Sequence, residues 1–179
     1  TFTNKASKEM QIRVSKLLKK EATGLPWLGT FHSISAKLLR KHAAAVGLKY
    51  NFSIIDQDDQ IRLIKNICKV ENIDIKKISP RYILAIIDKW KNKGWYPEDV
   101  ILKKKDTLEK GFLKIYNIYQ SKLLDLNTCD FGDLILHCVK IFEKNLDITE
   151  LYSKNFKYIL VDEYQDTNHI QSRWLSCLT

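Results

Sequence analysis

Residues 159–163 read Ile-Leu-Val-Asp-Glu, an apolar run that ends on two adjacent carboxylates. Tyr158 to Val161 is the kind of continuous apolar stretch expected of a strand inside a parallel sheet. In open α/β sheets, ligands bind beyond the carboxyl ends of the strands. Two carboxylates delivered there have a defined chemistry. The first, Asp162, would hold a magnesium ion, and the second, Glu163, would orient and deprotonate an attacking water. Two solvated acids at a turn would give the same letters. The residues that follow add weight: Asp162-Glu163-Tyr164-Gln165-Asp166-Thr167-Asn168, with Gln171 one helical turn beyond. Such polar density after a buried strand is costly unless those groups have partners.

The elements that would position these acids are mostly helical. Ala6, Met10, Val14 and Leu17 recur at helical spacing and predict a helix over about 5–20. Ser33 as an N-cap and Gly47 as the terminating residue bound a second helix. Asp56 caps a third, which turns Ile61, Ile64 and Cys68 inward. Ser79-Pro80 starts a fourth, with a hydroxyl cap followed by proline at the first helical position. Ile83, Leu84, Ile87 and Trp90 line its face, and it stops near Gly94. Leu108 to Leu123 forms a long helix, and Asp130 followed by Asp133 opens another. A last helix runs over about 168–178. Strands are few: Trp27–Phe31 and Tyr158–Val161. The middle of the chain is therefore all helical, and the two ends read as strand-loop-helix units. Trp27, Trp90 and Trp174 read as core. Gly94-Trp95-Tyr96-Pro97 reads as a turn with exposed aromatics or as a local apolar plug.

Composition narrows the classes. The chain has 179 residues, 30 Lys+Arg against 21 Asp+Glu, and 45% hydrophobic residues, which excludes a disordered tail. No apolar run approaches the roughly 20 residues that cross a bilayer. Cys68, Cys129, Cys138 and Cys177 have no C-x-x-C spacing, so reduced cysteines are expected and a metal site built from them is not. Charge is segregated: net +5 over 1–60, +7 over 61–125 and −3 over 126–179. A basic body implies a polyanionic partner or a solvated lysine-rich surface. The run Lys103-Lys104-Lys105 carries the same two readings.

Four segments together carry a resemblance. Asp162 to Asn168, with Gln171, resembles motif II of the UvrD/Rep/PcrA helicases of superfamily 1, and its apolar strand with two acids has the physical form of a Walker B motif. Thr1-Phe2-Thr3-Asn4-Lys5-Ala6 resembles that family's motif Ia. Gly29-Thr30-Phe31-His32-Ser33 resembles its T-F-H-S motif, and Asp130-Phe131-Gly132-Asp133-Leu134 its D-F-x-D-L segment. The four occur in the family's order along the whole chain.

The resemblance implies a fold that is mainly α, with a helical 1B insertion flanked by pieces of a RecA-like α/β (P-loop NTPase) domain 1A. It implies that 1–33 and 155–179 belong to 1A and 34–154 to 1B. It implies ATP and Mg2+ as cofactors, with Asp162 as the metal ligand, Glu163 as the catalytic base and Gln165 beside the nucleotide. Phe2, Thr3, Asn4, Thr30, Phe31 and His32 would lie along single-stranded DNA, where hydroxyls and amides contact phosphates and aromatic rings stack on bases. Phe2 and Phe31 also read as core, and His32 also reads as a loop-holding hydrogen-bonding group.

The expected activity is ATP-dependent 3′–5′ movement on single-stranded DNA with duplex unwinding at a single-strand/double-strand junction, in repair or replication, in the cytoplasm. DNA-repair proteins are the expected protein partners, and no membrane is involved. The G-x-x-x-x-G-K-[ST] loop that cradles a triphosphate is absent from the sequence. By the resemblance it falls just upstream of Thr1, and domain 2A with its arginine finger also lies outside the chain. The chain alone is therefore expected to be inactive, and to be a monomer or an artefactual dimer through exposed sheet edges. Two other readings stand beside this one: the helicase subunit of a helicase–nuclease complex, and a non-catalytic helical module that binds DNA or protein.

Overall fold

A computed structural model describes residues 1–19, 25–73, 78–101 and 107–179. The Lys103–Lys105 run lies outside the described residues. Eight α-helices are described: α1 (Asn4–Leu18), α2 (Phe31–His42), α3 (Gln57–Val70), α4 (Pro80–Asn92), α5 (Thr107–Asp125), α6 (Phe131–Lys144), α7 (Leu146–Asn155) and α8 (His169–Ser176). Two short strands, β1 (Ser53–Ile54) and β2 (Thr128–Cys129), pair in parallel, with Ser53 opposite Thr128.

Local chemistry starts most of these helices where the sequence predicts. The Asp56 carboxylate accepts from the Asp59 backbone N–H at 2.9 Å, and the Ser79 hydroxyl accepts from that of Tyr82 at 3.2 Å. Pro80 follows as the first helical residue, where its missing N–H leaves no bond unmade. Gly47 takes up φ 82° after the short 3-10 turn Ala43–Val46 and ends the α2 segment. The cap of α2 is Thr30 rather than Ser33. Thr30 Oγ1 accepts from the Ser33 N–H at 3.2 Å, so the helix begins one turn earlier than the Ser33 signal implies.

The two predicted strands do not form. Leu25 to Thr30 is turn and irregular backbone, and Phe31 already belongs to α2. Tyr158–Val161 runs outside any ladder. An extended segment becomes a strand only when a neighbour accepts and donates its backbone hydrogen bonds, and no such neighbour lies among the described residues. The segment still alternates as a strand would. Ile159 and Val161 pack against the core, while Tyr158 is 89% and Leu160 is 90% exposed. It flanks an apolar groove of about 400 Å3 that Met10, Val14, Trp27 and Leu175 also line. Leu17, counted in the apolar stripe of α1, points to solvent.

Two hydrophobic cores are present. One gathers Phe31, Leu38 and Leu39 of α2, Leu134 to Phe142 of α6, Tyr152 of α7 and Ile170, Trp174 and Leu175 of α8. The other gathers Ile61, Ile64 and Ile67 of α3, Ile83, Leu84, Ile87 and Trp90 of α4, and Ile115, Tyr116, Tyr119 and Leu123 of α5. The Gly94-Trp95-Tyr96-Pro97 turn is a plug, since Tyr96 and Pro97 are buried and Trp95 is half-buried. The fold is mostly helical with a small parallel sheet.

Candidate functional site

The first core brings the ends of the chain together. The Phe31 N–H donates to the Thr1 carbonyl at 3.3 Å, so the Thr1–Asn4 and Thr30–His32 segments are tied through backbone. Their aromatic rings continue the link: Phe2 lies 5.5 Å from Phe31, and Phe31 lies 5.8 Å from Trp174 of α8. Phe31 is buried at 5% exposure and Phe2 is half-buried. The Phe31 ring is therefore a core ring rather than a surface one.

The polar members of the two segments stand at helix starts. Thr3 caps α1, its Oγ1 accepting from the Ala6 N–H at 3.1 Å, and Asn4 is the exposed first residue of that helix. Thr30 is 7% exposed, and its hydroxyl is engaged in the α2 cap. His32 is half-buried, and burial pushes its imidazole pKa below the ordinary value. It therefore stays uncharged near neutral pH and offers a ring rather than a cation. Phe131, the first residue of α6, meets it edge-on with ring centroids 5.7 Å apart. Phe131 is 55% exposed. An exposed aromatic ring of this kind could stack on a planar group. Beside it opens a cleft of about 390 Å3 lined by His32, Asp56, Gln60, Asp88, Asn92 and Phe131. Burial and the neighbouring Asp130 carboxylate push the Asp88 carboxyl up to about 6.

The acids follow the Ile159–Val161 segment, which packs on the same core. Asp162 and Glu163 are exposed at the end of the Ile159–Val161 segment. Asp162 lies near Thr1. Glu163 holds φ 52°, the left-handed region that a non-glycine residue rarely adopts and that turns the chain into the short 3-10 turn Tyr164–Asp166. Gln165 Nε2 donates to Glu163 Oε2. Asn168 and Gln171 form a reciprocal cap on α8, each backbone N–H donating to the other's side chain at 3.0 Å. Part of the polar run is paired in this way, and residues 162–166 are exposed, so water serves the rest. Among the described residues no three His, Cys, Asp or Glu side chains converge to hold a metal. A cation at Asp162 would complete its shell with water and phosphate oxygens, which is the habit of magnesium.

Helix α8 locks this end onto the rest of the molecule. Arg173 makes a two-pronged pair with Glu143 at 2.6 and 2.7 Å and donates to the Gly94 carbonyl at 3.2 Å. Asn168 Nδ2 donates to Asn92 Oδ1 at 2.8 Å. The Gly94 and Asn92 contacts reach the C-terminal end of α4, and the Glu143 pair reaches α6.

Sequence reasoning missed two residues. Phe131 was legible as the aromatic that follows a capping aspartate, where nothing buries it. Lys91 gave only a weak signal, its position four residues after Ile87 on the buried face of α4. It is 1% exposed and binds Asp130 and Asp133 at 2.7 Å each.

Comparison with known proteins identifies the family. The model of the UvrD/REP helicase N-terminal domain matches residues 1–179. A probable DNA helicase II homolog of Rickettsia felis is 44% identical over 99% of this chain and 27% of its own length. DNA helicase II of Haemophilus influenzae is 42% identical over 99% of this chain and 25% of its own. The ATP-dependent DNA helicase PcrA of Bacillus subtilis is 42% identical over 96% of this chain and 23% of its own. The chain spans about a quarter of the length of these relatives. With its motifs in order and a match from first residue to last, the chain belongs to the UvrD/REP helicase family, to its N-terminal domain.

Proposed function

We propose that the intact protein is an ATP-dependent DNA helicase that moves 3′ to 5′ along single-stranded DNA and opens duplex at the junction. The observation that carries this reading is the shared core. Phe31, the chain neighbour of His32, packs on Trp174 of α8, the helix that follows Asp162 and Glu163. In this reading a change in geometry at the acids is passed through that packed layer to the residues that contact the strand. Relatives named DNA helicase II and ATP-dependent DNA helicase PcrA support the same class.

In this reading Phe2, Thr3, Asn4, Thr30 and His32 border the strand, Phe131 joins them, and Phe31 backs them from the core. A bound Mg·ATP supplies the phosphoanhydride whose cleavage drives the motor. Asp162 holds the metal, Glu163 takes the proton of the attacking water, and Gln165 steadies Glu163 through their hydrogen bond. The isolated chain has no G-x-x-x-x-G-K-[ST] loop and is proposed to be inactive alone. The boundaries at 34 and 154 follow from the resemblance. The separate core of α3, α4 and α5 supports a narrower insert over about 55–125, with α6 and α7 returning to the ATP-binding domain.

Strand-separation assays on tailed duplexes test the reading. The intact protein is expected to unwind a duplex with a 3′ single-stranded tail when ATP and Mg2+ are present, and not one with a 5′ tail. Unwinding from the 5′ tail alone, or none from either, would overturn it.

A further inference from the structure

Asp130 and Asp133 form the cap of α6, and each uses its two oxygens differently. Asp130 Oδ1 accepts from the Asp133 N–H at 2.9 Å, and Asp133 Oδ2 accepts from the Asp130 N–H at 3.2 Å. The other two oxygens converge on the Lys91 ammonium, each at 2.7 Å. Tyr119 of α5 also donates to Asp130 Oδ2, and Gln120 to Asp133 Oδ1, both at 2.9 Å. All three charged side chains are buried, at 1% exposure or less. Lys91 belongs to α4 and the second core, whereas Asp130 and Asp133 stand at the start of α6, which packs into the first. Gly132, between them, lies directly on the Lys91 stem, and a Cβ there would come within 3.0 Å of Lys91 Cδ. Phe131, whose ring faces His32, sits between the two aspartates.

A charge group of this kind is weak evidence for stability, because desolvation offsets the attraction. Its geometry is more informative. One ammonium fixes both carboxylates of a helix cap, and the residue carried by that cap is the exposed aromatic of the candidate strand surface. We propose that Lys91 is a positioning residue for DNA binding: by tying the α6 cap to α4, it holds Phe131 opposite His32, and the grip on the strand depends on that tie. This rests on the reading of His32 and Phe131 as a strand contact.

The test uses the intact protein and a fluorescent single-stranded oligonucleotide. Phe131→Ala is expected to weaken binding about tenfold, the effect of losing one base-stacking ring. Lys91→Met is expected to weaken it by a similar factor, about tenfold, and to add nothing when Phe131→Ala is already present. Lys91→Met strands two buried carboxylates and threatens folding. A neutral triple variant, Lys91→Met with Asp130→Asn and Asp133→Asn, avoids this. Its asparagine oxygens keep the cap, and its new amides have acceptors in Tyr119 Oη and in Gln120 Oε1, which is buried without a partner among the described residues. The triple variant is expected to melt near the parent temperature and still bind DNA weakly.

Parent-like affinity in the triple variant would overturn the proposal. So would a Lys91→Met loss that is undiminished in the Phe131→Ala background, because Lys91 would then act elsewhere. If Phe131→Ala itself leaves affinity unchanged, the strand-contact reading fails first and takes the proposal with it.

Discussion

The ring of Phe131 stands edge-on to the imidazole of His32, centroids 5.7 Å apart, at the junction of two helix starts distant in sequence. One ring is backed by the Thr30 cap of α2 and the other by the Asp130 cap of α6. Two side-chain caps therefore set the helix starts that carry the pair.

Phe31 and Phe131 separate support from contact. Phe31 is 5% exposed and Phe131 is 55% exposed. Phe31→Ala removes a core ring and is expected to cost about 3–5 kcal/mol of stability. Phe131→Ala is expected to leave the melting temperature near its parent value while single-strand affinity falls about tenfold. Thermal melts beside anisotropy titrations measure both. Equal effects of the two changes on both quantities would contradict the division.

Asp88 gives a pH signature. Burial and the Asp130 charge disfavour its ionised form, so its folded pKa, about 6, lies above the ordinary carboxylate value. A carboxyl raised in this way binds a proton in the folded state at pH values where the unfolded chain has lost it. Stability therefore falls as pH rises from about 4 to about 6, and the cost persists above that. Asp88→Asn removes it. The variant is expected to be more stable than the parent by about 1 kcal/mol at pH 7.5, a figure discounted for solvent screening of a half-buried group. The gain is expected to vanish toward pH 4. Melts across that range check the sign, and a variant less stable than the parent at pH 7.5 would contradict it.

Gly94 ends the α4 segment at φ 78°. A Cβ there would come within 2.8 Å of Arg173 Nη1 and 2.9 Å of Ile170 Cδ1, both on α8. Gly94→Ala combines about 1–2 kcal/mol of left-handed strain with displacement of the Arg173 contact. A lower melting temperature is expected, together with faster amide exchange along α8. An unchanged melt and unchanged exchange would show that α8 does not depend on this turn.

The helix starts were legible because their signals are local. Asp56, Ser79-Pro80 and Asp130 act on N–H groups within one turn, so the sequence alone locates them. Thr30 was harder, since Ser33 offers the same hydroxyl three residues on, and only the structure shows that Thr30 Oγ1 takes the bond. The run Tyr158–Val161 has the alternation of a strand, but pairing is a property of neighbours and not of the run. Helix α7 and the β1–β2 pair were not anticipated. The pair is only two residues per strand, too short for a period to be read. Asp162, Glu163, Gln165 and His32 were singled out by the motifs they belong to. Lys91 was not, because a lysine in an amphipathic helix is ordinarily solvated, and its partners lie on another helix that only the fold brings near.

The central claim is that the acids at the end of the Ile159–Val161 segment hydrolyse ATP in a reaction driven by DNA. The most direct measurement is ATP turnover by the intact protein, with and without single-stranded DNA, beside Glu163→Gln. The account predicts strong stimulation of the parent by DNA. It predicts a loss of turnover of about 100-fold or more in the variant, as for removal of a general base, with nucleotide binding retained. Turnover in Glu163→Gln equal to that of the parent, or a parent indifferent to DNA, would contradict it.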